Sequence, residues 1–378
     1  MQTIFIVIPD MFMIGAQRCA ILMAKEIIKD GNRVVIIKLN KKNNLTEDIP
    51  GTIKIENLYA NKFWHISLIK YFYQSYLLSK KFKFYKPDYS ISIAPSSNLV
   101  NLLANVISSW KVKIICEEHQ HLTQAKKQGK GSEWTLHWKL IHFILIYLYK
   151  FTYKLRVVSK SSKKDFINNW SIPPKKVILV EPPIDKQRID NTLKKKVLKV
   201  ENSDKKLIKF CSVGRLTTQK DFVLLIKSFA RYLDKREGIL QIAGEGSEKG
   251  KLQDLIDSLG LNQRCKLLGF IDNSDEFIRD NDIFVLTSRW EGFPATLIES
   301  LYIGTPVISV NCHSGPKELL LNNEYGLLVK RSSKEISNAM VEMHDNKELR
   351  ESYIDKGKVR ALDFGPEKIW SKYSNLIK

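Results

Sequence analysis

A chain of 378 residues with 44% hydrophobic content is an ordinary globular composition, long enough for two domains with full-sized cores. Its formal charge of +21 is lopsided: residues 1–200 hold 34 basic and 14 acidic side chains (+20), residues 201–378 hold 27 and 26 (+1). The first half is therefore suited to something anionic, whether nucleic acid, a membrane surface or an acceptor, and charge does not choose among them. Cys19, Cys116, Cys211, Cys265 and Cys312 lie at long intervals without paired spacing, which disfavours a disulfide framework and reads as reduced thiols in a cytosolic protein. Residues 1–9 lack a basic start and a cleavage site and read as a first strand rather than a signal peptide. The most apolar window, 140–149, is about half the length of a membrane-spanning helix.

In chain order, a strand is expected over residues 4–8, a loop over 10–18, a helix from Cys19 to about Lys29 and a strand over 33–39. That β-α-β unit places Gly15 where such folds bind phosphate, although one loop glycine is equally a simple turn. Residues 62–86 interleave Trp64, Phe72, Tyr76 and Phe84 with Lys62, Lys70, Lys80 and Lys83; residues 134–153 repeat the character with Trp134, Trp138, Phe143, Tyr147 and Lys150. Rings at headgroup level and lysines against anionic lipid suit a membrane interface. Nucleic acid would use similar side chains, and a packed helix with a solvated basic face accounts for them too. Strands are expected over 89–93, 112–116, 156–159 and 177–180, the second running into Glu117-Glu118-His119-Gln120-His121.

The expected division is a first domain over 1–190, a Lys-rich linker over 191–206, a second domain over 207–364 and a terminal helix over 365–378 packing back across the domains. In the second domain, strands are expected over 207–213, 239–243, 265–270, 283–288 and 307–310, each ending in a polar or glycine-containing loop. The architecture inferred is α/β: two facing, doubly wound Rossmann-like domains with a cleft between them.

The stretch around which the second domain is organised is Trp290-Glu291-Gly292-Phe293-Pro294-Ala295-Thr296-Leu297-Ile298-Glu299-Ser300. A strand precedes it, Gly292 and Pro294 make the turn, and apolar residues then recur at helical spacing up to Gly304. Unpaired N–H groups at the helix start and the carboxyl end of the strand would receive a phosphate between the two glutamates. Arg215 and Lys220 follow another strand within one short loop, which gives a diphosphate leaving group the fixed positive charge it needs.

In combination and order, Val213-Gly214-Arg215-Leu216 with Lys220, Gly244-Glu245-Gly246, Leu268-Gly269-Phe270, the Glu291/Glu299 pair and Gly304-Thr305-Pro306-Val307-Ile308 resemble the retaining nucleotide-sugar glycosyltransferases of family four, which have the GT-B fold. The resemblance implies that Arg215, Lys220 and the backbone N–H groups of Ala295 and Thr296 hold the donor's diphosphate. It further implies that Glu299 binds the ribose, Phe270 lies near the base and Glu291 contacts the sugar, with Gly15, Gly246 and Phe293 also at the donor. His119 is the preferred active-site histidine, with His121 its rival. The first half matches less closely, with Ile14 in place of a loop glycine, and Asp221 stands where the family often has glycine.

Asp280-Asn281-Asp282 imitates a metal-binding Asp-x-Asp but precedes a strand, on the side away from the expected cleft, and is read as a turn; neither metal nor other cofactor is expected, since Arg215 and Lys220 supply the charge. The function expected is retaining hexosyl or N-acetylhexosaminyl transfer from a nucleotide diphosphate sugar, with UDP favoured. The acceptor would be a membrane-associated glycan or glycolipid of surface polysaccharide, lipopolysaccharide or lipid-linked oligosaccharide assembly. The protein would work in the cytoplasm, peripheral on the inner face of the membrane, with an anionic membrane surface and no nucleic acid as partner. The alternatives are a basic nucleic-acid-binding protein and a non-catalytic nucleotide-sugar sensor.

Overall fold

The structure, a computed structural model, describes residues 1–10, 15–40, 49–59, 67–128, 136–195 and 207–377. The chain forms two compact units, one of Met1–Lys126, Lys130–Pro183 and Pro366–Lys378, the other centred on Ile184–Gly365.

The first unit is wound around seven parallel strands: β1 (Thr3–Ile8), β2 (Arg33–Lys38), β3 (Lys54–Asn57), β4 (Tyr89–Ile93), β5 (Lys113–Glu118), β6 (Lys154–Val157) and β7 (Val177–Leu179). Their order is β3-β2-β1-β4-β5-β6-β7. β1 lies between β2 and β4 and is buried on both faces, which is why it reads as an uninterrupted apolar run. Its alternate residues Phe5 and Val7 pack with Val35 and Ile37 of β2 against Leu78, Phe82, Leu99, Ile141 and Leu145 from the crossover helices Ser67–Tyr85, Pro95–Ile107 and Leu136–Leu148. β3, with the sequence Lys-Ile-Glu-Asn, is an edge strand of mostly exposed residues and carries no apolar signal that sequence reading can use.

The second unit repeats the plan with β8 (Ile208–Val213), β9 (Gly238–Ala243), β10 (Cys265–Gly269), β11 (Ile283–Leu286), β12 (Val307–Val310) and β13 (Leu327–Val329), in the order β10-β9-β8-β11-β12-β13. All pairings are parallel. The chain runs from β8 outward to β10, then restarts on the other side of β8 at β11. The carboxyl ends of β8 and β11 therefore flank a topological switch point, where open parallel sheets bind ligands.

Several boundaries differ from expectation. The first helix begins at Gly15 rather than Cys19. β5 extends through Glu117 and Glu118, because both carboxylates find buried partners. The first unit ends at Pro183, not at residue 190, and the helix Lys186–Lys194, capped by Asp185, belongs to the second unit. It occupies the start of the expected linker, and residues 196–206 lie outside those described. The terminal helix Pro366–Ser374 belongs to the first unit: Ile369 and Tyr373 are fully buried, and Trp370 Nε1 donates to Asp30 Oδ2 at 2.6 Å. Ile14, Lys62, Trp64 and Trp134 also lie outside the described residues.

Candidate functional site

At the switch point of the second unit, the loops after β8 and β9 are drawn together by glycines. Gly244, at φ +147°, sits so close to the preceding loop that a Cβ would stand 1.9 Å from Gly214 O, and one on Gly246 would stand 2.3 Å from Leu216 O. Backbone bonds fix the approach: Gly214 N donates to Ala243 O, and Leu216 N to Glu245 O. Gly246 thus acts first as a packing residue that shapes the loop carrying Arg215. The Lys220 side chain lies across Gly214, its methylenes 3.1–3.3 Å from where a Cβ would be.

Lys220 Nζ reaches Glu291 Oε1 at 2.7 Å, and Ser288 Oγ donates to the same oxygen at 2.5 Å. Glu291 is buried, and its loop is fixed by Gln219 Nε2 donating to Trp290 O and Ser314 Oγ donating to Glu291 O. Arg215 contacts Gln219 at 3.4 Å, and Gln219 in turn bonds the backbone beside Glu291, so the two cations and the first of the two carboxylates gather at one pair of loops. The helix Ala295–Ile303 starts four residues after Glu291, and its N-cap, Pro294, supplies no capping side chain. The first-turn amides and the helix dipole are thereby oriented for an anion.

Glu299, on that helix, is buried and accepts from Arg188 Nη2 at 2.8 Å; Arg188 Nη1 also donates to Asp275, which is fully buried. Arg188 carries no motif around it and was not expected at the site; only the fold brings its helix to Glu299. Phe270 follows β10 with its ring 65% exposed, free of packing duties that would stop it meeting a planar ligand. Phe293 is half-buried and packs on Phe364, ring centroids 5.4 Å apart, so its visible contact is structural. Asp221 adopts a left-handed backbone at φ 50°. That explains why the family often places glycine there, and Asp, which tolerates this region, pairs in addition with Arg289 and Arg331. Asp280 and Asp282 form the turn into β11: Asp280 pairs with Arg279, while Asp282 accepts from Lys209 N.

In the first unit, His119 follows β5 with its side chain 19% exposed, Nε2 lying 3.1 Å from Glu117 Oε2. Glu117 is fixed in turn by Arg156 Nη1 at 2.7 Å. Burial alone would raise the Glu117 carboxyl; the Arg156 and His119 contacts outweigh it and hold it below the usual range. Arg156, itself fully buried, donates to Val180 O and Glu181 O and lies 5.4 Å from the Tyr373 ring of the terminal helix. Next along β5, Glu118 is buried, with Tyr149 OH and Asn98 Nδ2 donating to it, and burial pushes it up to about 7. His121 is buried with Nδ1 3.2 Å from Asp165 Oδ2, at the start of the helix Leu122–Gln128. Both histidines thus follow β5 and each contacts one carboxylate, His119 partly exposed and His121 buried. Gly15 is exposed and a Cβ there would meet nothing within 4 Å, so neither packing nor backbone requires glycine at that position.

Comparison with known proteins gives the family and the fold. The family described as Glycosyltransferase Family 4 matches residues 13–188, and that described as Glycosyl transferases group 1 matches residues 194–360. An uncharacterized glycosyltransferase of Methanocaldococcus jannaschii is 31% identical over 354 residues, covering 83% of this chain and 84% of the relative. A Campylobacter jejuni relative is named as a GalNAc-α-(1→4)-GalNAc-α-(1→3)-diNAcBac-PP-undecaprenol α-1,4-N-acetyl-D-galactosaminyltransferase. It is 27% identical over 376 residues, covering 96% of this chain and 94% of that one. Among solved structures, Anabaena HepE in complex with UDP and glucose superposes with a TM-score of 0.81 at 17% identity over 100% of this chain and 99% of that one, a likeness of fold. With one family description on each half of the sequence and a relative of this identity over most of both chains, the protein belongs to the family 4 glycosyltransferases of the GT-B fold.

Proposed function

We propose that the protein transfers a hexosyl or N-acetylhexosaminyl group, with retention, from a nucleotide diphosphate sugar to a lipid-linked or other membrane-associated glycan. The observation that carries this reading is the Lys220–Glu291 contact of 2.7 Å at the β8/β11 switch point, four residues from a helix start without a side-chain cap. Lys220 is poised to exchange Glu291 for a donor phosphate, and Arg215 and the amides of Ala295 and Thr296 share the charge. As the bond from the anomeric carbon to the diphosphate oxygen breaks, its electrons pass to the diphosphate. Fixed donors there stabilise the developing charge by several kcal/mol. The acceptor oxygen bonds to the anomeric carbon from the same face, and its proton passes to the departing diphosphate. Glu291, held between an ammonium and a hydroxyl, is suited to orienting the sugar rather than attacking it.

UDP as the donor's nucleotide is supported by the ligands named for HepE, and a polyprenyl-linked acceptor by the name of the Campylobacter relative. No helix among the described residues is long and apolar enough to cross a membrane; the surface contact of this reading is made by the exposed Phe72, Tyr76, Phe143 and Tyr147. The same reading has the protein work at the cytoplasmic face, with Glu299 on the ribose and Phe270 at the base in the second unit, and His119 as the active-site histidine of the first. The test is product analysis. Incubation with UDP-sugars and a polyprenyl diphosphate glycan should give a product whose new linkage has the donor's anomeric configuration by NMR, undiminished by EDTA. An inverted linkage sinks the retaining mechanism, and loss of turnover on chelation sinks the metal-free one.

A further inference from the structure

In a parallel sheet, each crossover helix ends where the next strand begins. The last turns of Ser67–Tyr85, Pro95–Ile107 and Leu136–Leu148 therefore meet the starts of β4, β5 and β6 along one edge, opposite the edge that carries His119. Lys113 opens β5, Lys154 opens β6, and Lys175 and Lys176 lie just before β7. These four lysines line one open groove of about 420 Å³ together with Phe151 and Tyr153, and among the described residues no acidic side chain lines it.

Three of the lysines are held by neutral groups. Lys176 Nζ donates to Lys150 O and Thr152 O, Lys154 Nζ to Lys175 O, and Lys113 Nζ to Tyr89 OH. Burial, then the charges of Lys175 and Lys154, lower the Lys176 ammonium, as expected where cations crowd one another. Asp88, which acts on Lys113 from nearby, accepts from Thr3 N. The groove is thus rimmed by positive charge that its own lining does not neutralise.

Around the same edge stand apolar side chains from three separate helix ends: Phe84 at 77% exposure, Ile107 at 54% and Phe151 at 66%. A cationic groove with a broad apolar rim matches the boundary between phosphate headgroups and acyl chains, where both kinds of surface are satisfied together. A polynucleotide would satisfy the lysines and leave the rim in water.

We propose that this groove binds the phosphate headgroup of an anionic phospholipid and seats the first unit on the membrane by its strand-start edge. The assignment deepens the membrane-surface part of the proposed function and rests on it.

Sedimentation with vesicles of phosphatidylglycerol in phosphatidylcholine tests it, using the full chain at low salt. Wild-type protein should sediment with these vesicles and remain in solution with phosphatidylcholine alone. Lys113→Gln/Lys175→Gln, which removes two exposed charges and leaves Lys154 and Lys176 in place, should bind about thirtyfold more weakly. Its unfolding temperature should be unchanged. Phe84→Ser/Phe151→Ser should weaken binding as well, and inorganic phosphate should compete only partly, since it satisfies the lysines but not the rim. Wild-type protein that ignores anionic vesicles overturns the membrane reading and this site together. Vesicle binding that survives Lys113→Gln/Lys175→Gln overturns the headgroup site and leaves the membrane reading standing. Full displacement by inorganic phosphate, or lysine-dependent binding of single-stranded RNA without vesicle binding, identifies a site for a soluble polyanion and overturns the lipid assignment.

Discussion

In the second unit Arg215, Lys220 and Glu291 lie in short runs at the ends of β8 and β11, whereas the first unit holds its candidate histidine through groups gathered from distant parts of the chain. Lys220, Ser288 and Glu291 meet at the switch point because winding outward and restarting makes β8 and β11 neighbours. His119 depends on Glu117, Glu117 on Arg156 of β6, and Arg156 packs on Tyr373 of the terminal helix. A site built from loops of adjacent strands leaves a recognisable pattern in sequence. One supported by a relay of buried side chains does not, since each member is an unremarkable Glu, Arg or Tyr until the fold joins them. The electrostatic contrast runs the same way: the second half is nearly neutral and pairs its charges internally, while the first carries the excess of twenty.

The sharpest way to break this comparison is at Lys220. Lys220→Ala removes the ammonium intended for the departing diphosphate, and transfer should fall by about a hundredfold or more in kcat. Near-normal turnover in a steady-state assay at saturating donor would overturn the diphosphate role. A second, smaller effect separates the two histidines. His119→Ala should lower turnover about tenfold or more with little change in unfolding temperature. His121→Ala, which strips Asp165 of a buried partner, should cost about 1–2 kcal/mol of stability in denaturant titration. A reversed pattern would place His121 at the site instead.

The smallest effect concerns pH. Because burial raises Glu118 to about 7, folding favours its protonated form. Its stabilising contribution is whole below the ordinary carboxylate range and is lost as pH rises through about 7. Thermal unfolding should show the first unit weakening from mildly acid to mildly alkaline buffer, by at most about 3 kcal/mol. Glu118→Gln should flatten that slope. An unchanged slope would mean that Tyr149 and Asn98 keep the carboxylate ionised throughout.

Periodicity and punctuation in the sequence were enough for the alternation of strands and helices, the two-domain plan and the loops bearing Arg215, Lys220 and Glu291, because buried parallel strands are necessarily apolar and their ends necessarily polar. The family motifs added roles to those loops, and the left-handed backbone at Asp221 gives one of their glycines its physical reason. Strands as short and polar as β3 left no such trace. Only tertiary structure decided that the helix after residue 183 joins the second unit, that the final helix joins the first, that Arg188 grips Glu299, and that four lysines from three strand starts share one groove. These are contacts between residues far apart in the chain. Local sequence specifies which segments form strands and helices, while long-range packing decides which side chains become neighbours.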